Sequence, residues 1–379
     1  MREGRVGIGP IENIPTELLN VKIAAEVRGF DPATHFDAKK LPLLDRVSQF
    51  ALVAAREAVA QSGLEFTASG LGERTACIVG TGIGGENSHN EQSRRFFGDK
   101  NPRVHPLTIL RVMANAPACH IGIEFGLTGP SFAVVSACAS ANHAMSQAFD
   151  MVRSGRVAVA VTGGTEACVT ETTMKAWEAM RVVADDTCRP FCRQRRGMVL
   201  GEGSGIFVLE EWEHAKARGA TILAEFAGSG ATADAIDMVF PAQATVARAI
   251  ELALIDAGLN PADVDYINAH GTGTPANDPT ESKAIRHVFG AQADKLVVSS
   301  TKSMHGHALG AAGAIELIAA IGSLRDGVIA PTANFIDPDP ECDLDYVPNT
   351  AREKPVRAVL SNSFAFGGLN AVVALKRAD

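Results

Sequence analysis

In AVVSACASANHAMSQAFDM, residues 133–151, a single thiol stands where an apolar, β-branched run gives way to small and spaced apolar residues at helical period. At a helix start the unpaired backbone N–H groups and the macrodipole favour negative charge. That would draw the pKa of Cys138 from about 8.5 into roughly the 3.5–7.5 range and make it a nucleophile. An inert buried cysteine is the commoner state of any such residue taken alone. DYINAHGTGTPAND, residues 265–278, carries His270 out of an apolar run into a turn rich in Gly and Thr, where hydroxyls can hold a ligand. A structural histidine is the usual alternative. STKSMHGHALGAAGAIE, residues 300–316, sets His307 between a strand and a tightly packed helix, with Lys302 upstream and Glu316 placed to pair with it. SNSFAFGGLNA, residues 361–371, ends a strand in a Gly-Gly turn whose N–H groups can face a developing oxyanion. One thiol and two imidazoles at strand-end turns suit acyl transfer through a thioester. Two neutral imidazoles donating to one oxygen would also stabilise an enolate, a step beyond hydrolysis.

The elements that must position these groups alternate along the chain. RTACIVG, RVAVAVTGG, GIFVLE, DYINAHG, KLVVSSTK and VRAVLSNSFAF read as strands. Helical patterns lie in RVSQFALVAAREAVAQSG, in the segment after Cys138, in ATVARAIELALIDAG and in AIELIAAIGSLRDG. Continuous Val and Ile strands alternating with helices predict an α/β chain whose sheets are covered on both faces. Two small-residue helices echo each other: one follows SACAS, the other HGHALGAAG, and each has a reactive side chain at its entrance. A duplicated architecture with two helix starts near one site accounts for this; chance likeness of two alanine-rich helices is the alternative.

The 379 residues suffice for two cores, or for one large core built from two similar halves. A formal net charge of −8 argues against sequence-independent nucleic-acid binding, so an anionic partner would need a local basic patch such as Lys39–Lys40, Arg94–Arg95 or Arg193, Arg195 and Arg196. Two tryptophans and two tyrosines argue against an aromatic-lined sugar groove. The seven scattered cysteines, with no signal-like start and no long apolar run, fit reduced thiols in a cytoplasm. Two patterns point elsewhere. Gly80, Gly82 and Gly85 form G-x-G-x-x-G with Asp99 downstream, but Asp99 does not end a second strand as a dinucleotide fold requires. Cys188 and Cys192 with His305 and His307 have poor spacing for zinc. No metal and no cofactor is expected.

With SACAS, GMVLGEGSG, NAHGTGTPAND, KSMHGHALGAAGAIE and SFAFGGLNA in order from about residue 80 to the C-terminus, the chain resembles the elongating, decarboxylating β-ketoacyl-acyl carrier protein synthases of the thiolase-like superfamily. The resemblance implies a five-layered αβαβα fold of two α/β halves, 1–215 carrying the nucleophile and 216–379 carrying both histidines. It implies that Cys138 takes an acyl chain from acyl carrier protein. His270 and His307 would then stabilise the enolate formed as malonyl thioester loses carbon dioxide, with Lys302 and Glu316 organising the site. Backbone N–H groups of Cys138 and Phe366 would form the oxyanion hole. Thr272 and Thr274 would contact the phosphopantetheine arm, Ile83 would shape the acyl pocket, and Phe364, Gly367 and Gly368 would also line the substrate path. A homodimer is implied, with no nucleic acid and no membrane span.

Three features depart from the family pattern. The opening strand-helix unit is expected to be missing, which would leave one sheet without a central strand. In RPFCRQRRGM, Cys192 and Arg196 stand where acidic residues are usual in a gating loop. In FAFGGLN, Ala365 replaces a glycine and Leu369 a threonine, stiffening the turn that carries Phe366. The wording of PFCRQRRGM and KSMHGH resembles the nodulation protein E branch, which builds special acyl chains. The rivals are a coenzyme A-dependent thiolase, which needs a second catalytic cysteine near the C-terminal turn; a starter synthase, which carries Asn in place of the second histidine; and a non-catalytic chain-length-factor-like subunit, which lacks the nucleophile.

Overall fold

The computed structural model describes residues 1–378. Two sheets carry the fold. The first runs Ser131–Val134, Thr75–Gly80, Val159–Glu166, Gly203–Glu210, the last strand antiparallel to its neighbour and the other pairs parallel. Every residue of Thr75–Gly80 and of Val159–Glu166 is buried, as strands covered on both faces require. The second sheet runs Glu225–Ala233, Leu369–Lys376, Ala358–Ala365, Tyr266–Asn268, Val297–Ser299. Between the sheets lie the helices Ser140–Arg153 and Ala312–Asp326, each packed on strands of both. Arg46–Ser62 covers the outer face of the first sheet, and Gln243–Ala257 with Asn277–Phe289 that of the second. The result is five alternating layers, helix and sheet.

Every strand and helix pattern named from the sequence forms an element at its place. Two long strands, Glu225–Ala233 and Leu369–Lys376, were not among them. EFAGSGATA lacks the β-branched run that marks a buried strand because Gln243–Ala257 crosses it at backbone distance. A Cβ on Gly228 would sit 2.5 Å from Ala257 N, and one on Gly230 2.2 Å from Ala249 O. Small residues are the condition for that approach.

The expectation of a missing central strand is corrected. Thr75–Gly80 pairs directly with Val159–Glu166 from Thr75↔Val159 to Gly80↔Gly164, leaving no gap. In the second sheet the first strand, Glu225–Ala233, is an edge strand beside Leu369–Lys376.

Both interior helices are entered through a strained turn. Ala137 (φ 49°) opens the 3-10 turn Ala137–Ala139 before Ser140–Arg153, and Leu309 (φ 39°) opens Leu309–Ala311 before Ala312–Asp326. Neither is glycine, so each backbone is held in a left-handed conformation by its surroundings.

Candidate active site

Cys138 is the middle residue of the first strained turn and is 2% exposed. His307 precedes the second turn by two residues. Its N–H donates to Val199 O at 2.7 Å, and its carbonyl accepts from Gly201 N at 3.0 Å, so the loop is laced to residues 199–201. The outcome is direct contact: His307 Nε2 lies 3.0 Å from Cys138 Sγ. His270 follows the strand Tyr266–Asn268, and its ring stands edge-on to His307 with centroids 5.3 Å apart. The three side chains meet at the floor of one cavity of about 280 Å³, whose walls include Thr272, Thr274, Phe364, Ala365 and Phe366. A second cleft of about 490 Å³, around Asn90, Arg94 and Glu171, has neither thiol nor imidazole in its lining.

The chemistry of each group follows from its surroundings. The Cys138 thiol is pushed up to about 12 by burial, which outweighs the opposing pull of the Lys302 charge and of the Phe366 N–H directed at it. Burial thus opposes the thiolate that the helix start favours. His270 and His307 are both held well below the usual imidazole range, by burial first and then by the Lys302 charge, so both are neutral near pH 7. Lys302 is fully buried, paired with Glu316, and faces His270 Nδ1 at 3.4 Å. An ammonium can only donate, so Nδ1 accepts and the ring proton of His270 sits on Nε2. His307 is not pinned in this way; its Nδ1 has no hydrogen-bond partner among the described residues. Glu316 is raised to about 7, by burial against the pull of Lys302.

The remaining anticipated residues divide. Thr272, Thr274, Phe364, Ala365 and Phe366 line the cavity, while Ile83, Gly367, Gly368 and Cys192 stand outside that lining. Ile83 is 40% exposed on the surface of the single chain. Cys192 is buried and accepts from Ile336 N–H at 3.3 Å. Its loop is fastened to residues 337–339 by Arg193 N to Asp337 O and by the Arg195–Asp339 ion pair. Arg196 is exposed, 3.8 Å from Asp185. Cys188 and Cys192 form no metal cluster with the histidines: no group of three or more His, Cys, Asp or Glu is placed to hold an ion among the described residues. All seven cysteines are unpaired, and no helix among those residues is long and apolar enough to cross a membrane.

Sequence reasoning missed the buried acids that hold the loops. Glu281 accepts the N–H groups of His270 and Gly271, each at 2.8 Å, and Asp278 accepts Phe191 N at 2.7 Å. Asp278 closes the quoted histidine segment and Glu281 follows it by three residues, in NDPTE, where a carboxylate in an otherwise helical start was the available signal. Trp177, whose ring lies tilted against Phe366 with centroids 5.7 Å apart, had no such signal.

Residues 1–215 match the family profile described as beta-ketoacyl synthase, N-terminal domain, and residues 223–336 the one described as its C-terminal domain. Nodulation protein E of Rhizobium meliloti (strain 1021) is 49% identical over 379 residues, spanning 100% of this chain and 93% of that protein. A 3-oxoacyl-[acyl-carrier-protein] synthase 2 of Staphylococcus aureus (strain COL) is 42% identical over 383 residues, spanning 99% and 92%. Among solved structures, the ishigamide ketosynthase/chain length factor superposes with a TM-score of 0.95 at 39% identity, covering 100% of this chain and 93% of its own. A type II PKS acyl-carrier protein in complex with its ketosynthase, AntDE:AntF, gives 0.88 at 30% identity with coverage of 100% and 93%.

Proposed function

The chain belongs to the β-ketoacyl synthase family, acyltransferases of thiolase-like fold, and from that premise we propose that it extends an acyl chain held on Cys138 by decarboxylating condensation with malonyl-acyl carrier protein. The observation that carries the proposal is the 3.0 Å contact of His307 Nε2 with Cys138 Sγ, with His270 beside it on the same cavity floor.

In the first half-reaction Cys138 Sγ attacks the thioester carbonyl of the acyl carrier. The C–S bond to pantetheine breaks, and the thiol proton ends on the departing sulfur. His307 Nε2 touches the sulfur and its unpinned ring leaves either tautomer open, but a water can carry that proton equally well, so the first half-reaction does not depend on the imidazole. In the second, the malonyl C–C bond to its carboxylate breaks and carbon dioxide leaves. The electron pair moves onto the thioester oxygen, which the Nε2–H of His270 and the His307 ring stabilise. The enolate carbon then attacks the Cys138 thioester, forming the new C–C bond and releasing the sulfur as thiolate, which takes up a proton. N–H groups of Cys138 and Phe366 hold the passing oxyanion; both already point toward the sulfur. Thr272 and Thr274 at the cavity wall receive the phosphopantetheine arm.

The protein works without a metal or organic cofactor, in the cytoplasm, on carrier-bound substrates. Its halves are 1–215 and 216–379. A homodimer is supported by apolar side chains around the edge strand Ser131–Val134: Val135, Ile109 and Ile123 are 56%, 70% and 78% exposed. Ile83 would be covered in such a dimer. The acyl product is a specialised one, as the gating-loop departures at Cys192 and Ala365 suggest. The likeness to a ketosynthase/chain length factor keeps a silent-subunit reading in view, against which stand the thiol and both imidazoles. Incubation with acyl- and malonyl-loaded carrier proteins tests the choice: a 3-oxoacyl product two carbons longer is expected, and an acyl-Cys138 that never yields a new C–C bond would overturn it.

A further inference from the structure

The G-x-G-x-x-G turn after Thr75–Gly80 has the N–H geometry that elsewhere cradles an anion. Here the anion is internal. Glu166, the last residue of Val159–Glu166 and fully buried, accepts Gly82 N at 2.6 Å and Ile83 N at 3.4 Å, with Thr81 Oγ1 at 3.2 Å. The same carboxylate accepts Gly310 N at 3.0 Å, in the strained turn three residues after His307. None of these partners is a cationic side chain. The two turns meet backbone to backbone around it: a Cβ on Gly310 would lie 2.1 Å from Gly82 N, and one on Gly82 2.7 Å from Glu166 Oε2. Two residues before the acid, a Cβ on Gly164 would lie 2.7 Å from Ala141 Cβ and 2.8 Å from Gly310 O, so this strand end abuts both helix entrances.

Building on the condensation mechanism above, we propose that Glu166 is a positioning residue that clamps the turn 81–83 to the turn after His307, fixing the imidazole for decarboxylation. A carboxylate serves here because it alone offers enough acceptor sites for four converging donors. The arrangement works against the nucleophile, since the acid's charge raises the Cys138 thiol, and burial pushes Glu166 itself up to about 7. A group with that cost in the resting site is explained by geometry it enforces later in the cycle.

The test is Glu166→Gln, which keeps shape but turns an NH2 toward two of the donors. Carbon dioxide release from malonyl-pantetheine and Cys138 acylation by hexanoyl-pantetheine (read by intact mass) are followed in parallel on the full chain. Decarboxylation falls by about 10²-fold, the loss expected when a reacting group is displaced by about 1 Å, while acylation stays within about threefold. Equal loss of both half-reactions, or loss of neither, overturns the clamp. Wild-type protein that acylates but releases no carbon dioxide instead overturns the condensation reading, and the clamp with it. Should Glu166→Gln not fold, Thr81→Val is decisive. It removes the hydroxyl that links the carboxylate to Gly84 N–H and lowers decarboxylation roughly threefold to tenfold with acylation kept; unchanged decarboxylation overturns the clamp.

Discussion

The two helix entrances face one cavity, share a left-handed residue and a 3-10 turn, and are anchored differently. At Ala137–Ser140 the turn is fastened locally: Ser140 Oγ accepts Ser136 N at 2.9 Å and donates to Ala137 O at 2.6 Å, and the reactive sulfur sits inside the turn. At 307–311 the fastening is remote, by residues 199–201 on one side and Glu166 on the other, and the reactive imidazole lies before the turn. A thiol needs the amides of its own turn, because the charge it must carry forms on the atom itself. An imidazole that stabilises charge on a substrate needs a fixed distance to a neighbour, and distance is supplied by long-range ties.

The strongest way to break that comparison is to remove the reactive atom at each entrance. Cys138→Gln is expected to lower condensation by at least about 10⁴-fold while malonyl decarboxylation continues. His307→Ala is expected to lower decarboxylation by about 10²–10³-fold while acylation of Cys138 survives. Product mass and carbon dioxide release read both. Should either variant lose the other's half-reaction instead, the division of labour between the entrances is wrong.

Much of this was legible in the chain. Cys138, His270, His307, Lys302 and Glu316 stand in short segments whose period switches from strand to helix, and that switch is a local signal. The turn strain at Ala137 and Leu309 was not legible, because it is imposed by packing on residues that show no preference for left-handed φ. Nor was the thiol's raised pKa: the helix start is visible in sequence, whereas the desolvation that opposes it is the sum of many distant contacts. Glu166 was hidden for the same reason. Its donors come from residues 81–83 and 310, far apart in sequence, and the glycine turn it fills looked like a nucleotide motif because both use converging N–H groups.

A smaller effect sharpens the contrast in the remote ties. The Glu166 acid is raised from about 4.5 to about 7. Between those values the folded chain therefore holds a proton on Glu166 that the unfolded chain releases. Stability from this group is full below about 4.5 and is lost as pH rises through about 7. Urea denaturation should show wild type gaining on Glu166→Gln as pH is lowered across that window. A difference that stays flat, or that widens in the other direction, would mean that the four donors offset the burial and hold the acid near its ordinary value.

The smallest effects separate the two strained residues by sign. Left-handed φ costs an alanine or leucine roughly 1–2 kcal/mol, and glycine escapes that cost while losing about 0.5–1 kcal/mol to its freer unfolded chain. At Ala137 almost nothing else changes, so Ala137→Gly should leave the protein more stable by less than about 1 kcal/mol. At Leu309 the side chain is 3% exposed within the cluster that holds Cys138. Removing it costs at least the roughly 3–5 kcal/mol of a buried Leu→Ala change, more than the strain relief returns, so Leu309→Gly should be destabilised. Thermal melting gives both signs. If both variants shift the same way, the two turns carry their strain by one mechanism; opposite shifts mean that at the thiol the backbone alone is strained, whereas at the histidine the strain is held in place by a packed side chain.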